Sequence, residues 1–287
     1  MKIKFQSFAS GSSGNCYYLG TEQEGILIDA GIGSRTIKKN LREIGLELEN
    51  IKGILVTHDH ADHIKSIPVL GNKYFIPIYT TELIYGGINR NKCIHEELSA
   101  SSVRYISKEK PFQLAGFRIT AFPIPHDATE SVGYFIESPL GNFCFLTDMG
   151  CITPKAESYI DQTSYLILEA NYDQEMLQMG PYPAYLKKRI ASETGHMSNQ
   201  DTIDYLARTL SARLQQETGN ATTPLVHVWL CHLSRENNHP QLLEKDLELG
   251  LRKNALEIGR DIEVTVLKRT TPSNLYEISQ SSKPACP

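Results

Sequence analysis

One short polar run constrains this chain more than any other feature of its sequence: Thr57-His58-Asp59-His60-Ala61-Asp62-His63. The run directly follows residues 53–57, an apolar, β-branched segment typical of a buried strand. His58 and His60 are two residues apart and face the same way in an extended segment, whereas Asp62 and His63 lie where a helix is expected to begin. One segment can therefore serve two neighbouring metal ions. The alternative is a solvated histidine-rich loop or a pair of helix-capping carboxylates, which the position after a buried strand disfavours.

Metal ions need further ligands, which we expect at the exits of other strands. Imidazole and carboxylate groups suit zinc, iron or manganese, and the absence of thiolates from the run argues against a soft-ligand site. Each isolated candidate alone has another interpretation, as a histidine at the edge of the core or an aspartate in a turn. Beside the first run, they predict the rest of the site. These candidates are His126, Asp148 and His232, which follow predicted strands at 117–122, 142–147 and 226–230.

Composition narrows the class of protein. Hydrophobic residues make up 40% of the 287 residues, which supports a sizeable core and argues against disorder. The sequence has no apolar run of the roughly 18 to 20 residues that span a bilayer. Its first residues lack the apolar region of a signal peptide, so a soluble, cytoplasmic protein without a membrane partner is expected. The net charge of −4 is not that of a protein that coats nucleic acid, although it leaves room for a local basic groove.

The order of apolar patterns predicts two packed sheets with helices outside them, in a single domain of residues 1–287. Strands are predicted at 26–29, 53–57, 76–79, 117–122, 132–136, 142–147, 165–169, 226–230 and 262–267. Longer helical patterns occupy 34–44, 184–192, 199–215 and 240–258. Ser34 is expected to cap the first helix and Gly45 to end it. The polar tail from residue 279 to residue 287 is expected to fray.

The residues quoted so far resemble the metallo-β-lactamase-fold hydrolases, whose HxHxDH pattern stands here at 58–63. The resemblance runs from about residue 5 to about residue 267. It implies an α/β (α+β) fold, a four-layer αββα sandwich, with the site at one edge of the two sheets. It also implies two divalent metal ions, of zinc, manganese or iron. One ion would be held by His58, His60 and His126, a second by Asp62, His63 and His232, and Asp148 would bridge them.

Four longer segments are similar to the YycJ/WalJ branch of that superfamily, which is associated with exonuclease action on DNA. They are 10–16 (SGSSGNC), 180–183 (GPYP), 195–199 (GHMSN) and 231–238 (CHLSRENN). These segments are more specific than HxHxDH, which many chemistries share. The resemblance therefore implies a nucleic-acid substrate, DNA in particular. One departure is Tyr172, where some relatives carry a histidine.

Three residues are candidates for the chemistry itself. Two ions roughly 3.5–4 Å apart can share a water and lower its pKa, so attack on phosphorus by a bridging hydroxide is expected, with Asp62 among the catalytic groups. His196 is the candidate acid for the leaving oxygen, because the similar segment in tRNA-processing relatives supplies a catalytic histidine. Its alternative is a structural role before a helix. Asp59 is expected to orient a ligand histidine or assist proton transfer, and otherwise is a loop carboxylate.

Polar residues of the longer segments are the candidate substrate contacts: Ser12, Ser13, Asn15, Ser198, Ser234, Asn237 and Asn238. The glycine-rich residues 10–14 could offer N–H groups to phosphate or form only a tight turn. The three candidates after His232 could instead fix the conformation of the loop that follows it. The basic cluster at 187–189 is either a solvated helix face or a phosphate contact. Four tyrosines either stack on bases or belong to a tyrosine-rich surface or the edge of the core: Tyr17, Tyr18, Tyr182 and Tyr185.

Three functional hypotheses follow. A phosphodiesterase or nuclease is favoured by the four specific segments. A small-molecule hydrolase acting on a thioester, a lactone or a cyclic phosphodiester is favoured by the acidic pI of 6.2 and by the lack of a recognisable nucleic-acid module. A redox protein or a non-catalytic binding module is the third. A redox protein is expected to have a carboxylate in place of a metal-binding histidine, and a binding module is expected to lack some metal ligands. This chain keeps His60 and Asp62.

Overall fold

Two seven-stranded sheets form the centre of the molecule, of which the computed structural model describes residues 2–216 and 225–279. The first sheet has the order β14-β1-β2-β3-β4-β5-β6, antiparallel up to β3 and parallel from β3 to β6. Its strands are β1 (Lys2–Ala9), β2 (Cys16–Gly20), β3 (Gly25–Ile28), β4 (Ile51–Leu55), β5 (Ile78–Thr80), β6 (Val103–Tyr105) and the C-terminal β14 (Tyr276–Ser279).

The second sheet has the order β13-β12-β11-β10-β9-β8-β7 and is antiparallel from β7 to β10, then parallel to β13. Its strands are β7 (Phe112–Leu114), β8 (Phe117–Pro123), β9 (Val132–Glu137), β10 (Phe143–Leu146), β11 (Tyr165–Glu169), β12 (His227–Cys231) and β13 (Glu263–Val266). The nine predicted strands are all present, with each end within two residues of its prediction.

Helices flank both sheets: α1 (Ser34–Glu43), α2 (Ala61–Ile64), α3 (Ile67–Tyr74), α4 (Glu82–Arg90), α5 (Pro154–Ile160), α6 (Gln174–Met179), α7 (Ala184–Ile190), α8 (Asn199–Gln216) and α9 (Pro240–Lys253). Short 3₁₀ turns lie at Leu48–Asn50 and Ala100–Ser102. None of the helices in the described ranges is long and apolar enough to cross a membrane. Of the predicted tail, only Ser279 is described, and it ends β14; residues 280–287 lie outside the described ranges.

Two helix predictions need correction. Ser34 does not cap α1: the cap position is Gly33, which has extended backbone and makes no side-chain cap bond, and Ser34 is already helical. Gly45 follows the end of α1 with φ +79°, as predicted. The helix predicted at 240–258 ends at Lys253, because Asn254 leaves helical backbone and Ala255 has φ +59°.

Successive side chains along the strands of the second sheet point to opposite faces, and this divides the core into two layers. Phe145 points between the sheets, where Phe5 of β1 packs with its ring centroid 6.0 Å away. Leu146 belongs to a separate apolar cluster that includes Leu206 of α8 and Leu243 of α9. One face of the sheet is thus buried against the other sheet and the opposite face against helices. The predicted four-layer αββα arrangement is confirmed.

A tight contact at Gly31 ties β3 to the histidine-rich run. A Cβ atom on Gly31 would lie 1.6 Å from the backbone oxygen of Asp62, which also accepts a hydrogen bond of 2.7 Å from the Asn15 backbone N–H. Even a methyl group must therefore displace Asp62.

Replacing Gly31 by alanine is expected to lower the free energy of unfolding by about 3 kcal/mol or more, because overpacking against backbone cannot be relieved by a rotamer change. Gly33→Ala is the matched control: the nearest atom to its added Cβ, Thr36 Oγ1, lies 3.8 Å away, and a loss within about 1 kcal/mol is expected. Urea unfolding of both variants measures the difference. Equal stability of the two variants would contradict this account of Gly31.

Candidate metal centre

The predicted metal ligands come from four strand exits that open at one edge of the two sheets. The run from His58 follows β4, His126 follows β8, Asp148 follows β10 and His232 follows β12. His58 and His63 are fully buried, and Asp148 and His232 are nearly so. Sequence positions up to 174 residues apart therefore converge because parallel strands present their carboxyl ends at the same edge.

One group of ligand atoms is made by three histidines, His58, His60 and His126, whose donor atoms all lie within 4.8 Å of one another. The Nε2 atom of His126 lies 3.2 Å from the Nδ1 atom of His60. This group matches the set that the resemblance implies for the first ion.

A second group is made by Asp62, His63 and His232, again within 4.8 Å. Asp62 Oδ2 lies 3.6 Å from His63 Nε2 and 3.3 Å from His232 Nε2. This group matches the set implied for the second ion, so the predicted division of one segment between two sites agrees with the geometry.

Asp148 lies between the two groups. Its Oδ2 atom is 3.2 Å from His63 Nε2, and its Oδ1 atom is 3.9 Å from His126 Nε2. Its backbone has φ +49°, a left-handed conformation that an aspartate rarely adopts. Asp29 and His232, at the exits of β3 and β12, are also left-handed, with φ +58° and +53°. Such strain is held by the surrounding structure and tends to mark functional positions.

Two buried polar atoms of this centre show that its residues fit a metal. His58 Nε2 is buried without a hydrogen-bond partner in the described part of the chain, and Asp148 Oδ2 is buried in contact with His63 Nε2 but makes no hydrogen bond of acceptable geometry there. Leaving such atoms unpartnered is costly. Divalent cations bound by imidazole and carboxylate would satisfy both atoms, and the ligand types present are those that such cations prefer.

Four of the histidines are oriented by hydrogen bonds on the outer side of their rings. In each, Nδ1 donates to a protein acceptor, which leaves Nε2 directed at the centre. The acceptors are Thr57 Oγ1 for His58 at 3.0 Å, Asp29 Oδ2 for His63 at 2.7 Å, Gly195 O for His126 at 3.0 Å and Glu169 Oε1 for His232 at 2.9 Å. These hydrogen bonds fix the ring orientation of each of the four histidines.

Asp29 is a functional residue that the sequence reasoning missed. It is fully buried, and it accepts hydrogen bonds from His63 Nδ1 and from the backbone N–H and hydroxyl group of Thr57 at 2.8 Å each. It thus fixes the start of the histidine-rich run and the ring of one ligand. The signal was available, because Asp29 stands at the end of a predicted strand as Asp148 does.

Glu169 is the second missed residue. Its Oε1 atom accepts hydrogen bonds from Nδ1 of His196 at 2.7 Å and of His232 at 2.9 Å, while Oε2 accepts from the backbone N–H groups of Met149 and Met197. Burial raises the pKa of this carboxyl group, but its histidine neighbours outweigh burial and hold the pKa below its usual value. As the last residue of an apolar strand, Glu169 gave no separate signal in the sequence.

Charge in the centre is strongly coupled. Burial raises the pKa of Asp148, yet His232 and His63 hold it well below its usual range. Burial lowers the pKa of His232, but the carboxylates of Asp148, Asp62 and Glu169 together have a larger, opposite effect. The net pKa is therefore raised, to about 10. Since a ligand histidine must be neutral at the coordinating nitrogen, metal binding has to displace protons here.

His196 lies beside the centre and faces the cleft above it. Burial lowers its pKa, but the carboxylate of Glu169 more than compensates and the pKa is raised. Its Nδ1 atom is 3.8 Å from Asp148 Oδ1. The arrangement favours the protonated form of His196 at the edge of the centre.

Asp59 lies next to the ligands, but its carboxylate faces another loop. Oδ1 accepts a hydrogen bond from the backbone N–H of Thr129 at 3.1 Å, and Oδ2 accepts one from the Thr129 hydroxyl group at 2.5 Å. A Cβ on Gly87 of α4 would lie 2.0 Å from Oδ2. The predicted bond to a ligand histidine is therefore replaced by bonds to Thr129, because alternate residues of an extended segment point to opposite sides.

A cleft of about 240 Å³, here called the metal cleft, gives access to the centre. One wall comes from α7 and the residues before it, where Tyr182 and Arg189 face the ligands. Arg189 Nε also pairs with Asp127, which follows the ligand His126. The lining residues are Ser12, His60, Asp62, Asp127, Asp148, Asn171, Tyr182, Leu186, Arg189, Ile190, Gly195, His196, His232 and Ser234.

The predicted substrate contacts divide into three sets. Ser12 and Ser234 line the metal cleft, and Ser13 lines two adjoining cavities. Asn15, Ser198 and Asn238 are buried with side chains bonded within the protein, which corrects the prediction of substrate contact for these three: Asn15 lies 2.9 Å from His63 Nε2, Ser198 bonds Asp201 at the start of α8, and Asn238 bonds Ala170, Asn171 and Asn199. Asn237 is buried too, but its side-chain amide has no hydrogen-bond partner in the described part of the chain, so its contact with substrate stays a prediction.

Comparison with known proteins agrees with this geometry. The family model of the β-lactamase superfamily domain matches residues 25–215. Exodeoxyribonuclease WalJ of Streptococcus pneumoniae serotype 2 (strain D39 / NCTC 7466) is 32% identical over 277 residues, which cover 96% of this chain and 98% of WalJ. Exodeoxyribonuclease YycJ of Bacillus anthracis is 29% identical over 264 residues, which cover 92% of this chain and 95% of YycJ.

A solved structure of the metallo-β-lactamase fold has the same fold as this chain. The metallo-β-lactamase fold protein YhfI from Bacillus subtilis superposes with a TM-score of 0.65 at 16% identity, covering 96% of this chain and all of YhfI. Fold, ligand geometry and near-complete coverage by relatives agree with one another. The chain therefore belongs to the metallo-β-lactamase superfamily, in the branch that contains WalJ and YycJ.

Proposed function

We propose that this protein is a phosphodiesterase with two divalent metal ions that degrades DNA from an end. The observation that carries the proposal is the pair of three-ligand groups with Asp148 between them and a proton-holding histidine, His196, beside them. Both relatives reported above match over nearly their whole length and are named exodeoxyribonucleases, which supports DNA as the substrate.

The proposed ions, of zinc, manganese or iron, would be held by the two ligand groups described above, with Asp148 shared between them. Bound there, they would supply a water activated at neutral pH and would neutralise charge on the phosphoryl oxygens. Asp62 lines the metal cleft as well as belonging to the second group. It is therefore placed to orient the attacking water.

The chain's own residues supply the rest of the reaction. His196 would donate a proton to the leaving oxygen, and Glu169, bonded to its Nδ1 atom, would stabilise the protonated ring beforehand. Arg189 faces the metal cleft, with its Nε atom held by Asp127. In the described part of the chain its two Nη atoms make no hydrogen bond, which leaves them free for a phosphate oxygen.

The purified protein is expected to cleave DNA in Mn²⁺ or Zn²⁺, to lose this activity on chelation and to regain it on metal addition. A panel of single- and double-stranded DNA and RNA, with a thioester and a lactone as the other substrate classes, measures the specificity. Metal at about 100 times its Kd should stabilise the fold by about 2.7 kcal/mol, visible as a rise in Tm.

The control is the same panel with His60→Ala, which removes a ligand of the first group and should abolish cleavage. Hydrolysis of the thioester or the lactone without phosphodiester cleavage under any metal would show that the protein is a small-molecule hydrolase instead.

A further inference from the structure

A second cavity opens beside the metal cleft and shares two residues with it. This cavity has a volume of about 500 Å³ and is here called the side cleft. Ser12 and Tyr182 line both cavities, so the two cavities adjoin at these residues. The side cleft is completed mainly by Ser13, Arg235, Arg269 and Thr270.

Arg269 is a positioned cation without a counter-charge. Its Nη1 atom donates to the backbone oxygens of Ser234 at 2.8 Å and Asn238 at 3.2 Å. Its stem packs on Gly11, where an added Cβ would lie 3.1 Å from Arg269 Cγ. Within residues 2–216 and 225–279, no carboxylate lies within ion-pair distance of its guanidinium group. A guanidinium held in this way is suited to bind an anion, and phosphate geometry matches its planar edge.

The other charged side chains of the side cleft do not neutralise Arg269. Arg235 is 81% exposed, and its Nε atom lies 3.6 Å from a carboxylate oxygen of Glu236, which also lines the cavity. Those two side chains largely offset each other. The uncompensated positive charge of the side cleft is therefore that of Arg269.

Tyr182 supplies an aromatic surface at the boundary of the two cavities. Its side chain is half-buried, and the neighbouring Ser12 and Ser13 are exposed. Aromatic rings stack on unpaired bases with little dependence on base identity. An anion site, an aromatic ring and serine hydroxyl groups within one cavity together match one nucleotide of a single strand.

We infer that the side cleft binds the nucleotide next to the scissile phosphodiester, with its phosphate on Arg269 and its base on Tyr182. The inference rests on the proposed function and adds the substrate class, which is a single-stranded end at least two nucleotides long. In a duplex an internal base is stacked on both faces and a terminal base on one, and both are paired, so a separated strand can place its base on the ring more readily than a duplex can.

The first test compares two substrates in the metal-loaded protein: a single-stranded oligodeoxynucleotide and bis(p-nitrophenyl) phosphate, which has no neighbouring nucleotide. Arg269→Gln is expected to lower kcat/KM for the oligonucleotide about tenfold more than for the small ester. Lys268→Gln removes the same charge one residue away, at an exposed side chain outside the cavity, and should change neither value more than about twofold. Equal losses on both substrates would show that Arg269 only supports the loop after His232, and would overturn the inference.

The second test measures binding without turnover, so that it stands apart from the proposed reaction. Fluorescence anisotropy of the chelated protein with a labelled oligodeoxynucleotide should show tighter binding of the single strand than of the duplex. Arg269→Gln should reduce the slope of log K against log salt by about 0.7, the value for one phosphate contact on a single strand. Tyr182→Leu should weaken binding about tenfold, whereas Tyr182→Phe, which keeps the ring, should not.

The two tests separate the two possible failures. If the wild-type protein hydrolyses neither substrate but binding shows the expected dependence, the proposed reaction is wrong and the nucleotide site stands. If the protein cleaves DNA but Arg269→Gln and Tyr182→Leu bind as the wild type does, the proposed function stands and the side cleft is not a nucleotide site.

Discussion

Replacing Asp148 by alanine is expected to lower kcat/KM for DNA at least about 10³-fold, equivalent to about 4 kcal/mol of transition-state stabilisation. The reason is its position: one carboxylate reaches both ligand groups, with Oδ2 3.2 Å from His63 Nε2 and Oδ1 3.9 Å from His126 Nε2. Loss of Asp148 removes a ligand from each proposed ion. It also removes the negative charge that partly balances the surrounding histidines.

Metal content should fall together with activity. The measurement is the number of ions per chain after dialysis against Zn²⁺ or Mn²⁺, taken with the kinetics of the same preparation. Asp204→Ala is a matched control, because Asp204 is an exposed aspartate of α8 bonded only to Gln200 in the described residues. If Asp148→Ala kept both its metal content and its rate, a shared ligand at this position would be excluded.

Much of the centre follows from one rule that the sequence allows: polar residues at the exits of buried strands meet at one sheet edge. His126, Asp148 and His232 were predicted in this way, and the structure places all three with the run from His58 to His63. The rule works because β-branched apolar segments are readable locally, and because parallel strands share their direction. The order of the strands in the sheets is not needed for it.

The residues that orient the ligands could not be found as readily. Glu169 looks like the polar end of an apolar strand, and its importance depends on Nδ1 atoms that come from residues 196 and 232. Such roles are properties of tertiary contact and leave no local pattern. The same holds for the buried amides, where Asn238 has the composition of a substrate contact but donates its side-chain N–H groups to Ala170 and Asn171.

Two helices of the first half, α3 and α4, were missed for a different reason. Helix α3 contains Pro68 and Gly71, and α4 contains two adjacent glycines. These compositions are typical of loops when they are read locally. Packing decides otherwise: Ile67 and Leu70 of α3 and Ile84 of α4 are fully buried in the central core, and burial of these side chains outweighs weak helix propensity.

Replacing Glu169 by glutamine is expected to lower activity by about 10- to 100-fold, the usual effect of losing a group that orients a metal ligand. The change keeps the size of the side chain but removes the charge that holds His196 and His232 through Oε1. Without that charge, the protonated form of His196 is less favoured, because Glu169 is the main cause that raises its pKa against burial. Both the supply of the proton and the position of one ligand should suffer.

A double-mutant cycle with His196→Ala separates these two effects. If Glu169 acts mainly through His196, the double variant should be about as slow as His196→Ala alone, because both changes remove the same proton donor. Loss of metal from Glu169→Gln, measured on the purified protein, would instead show that its bond to His232 matters more. Rates that multiply in the double variant, with full metal content in all forms, would contradict a link between Glu169 and either histidine.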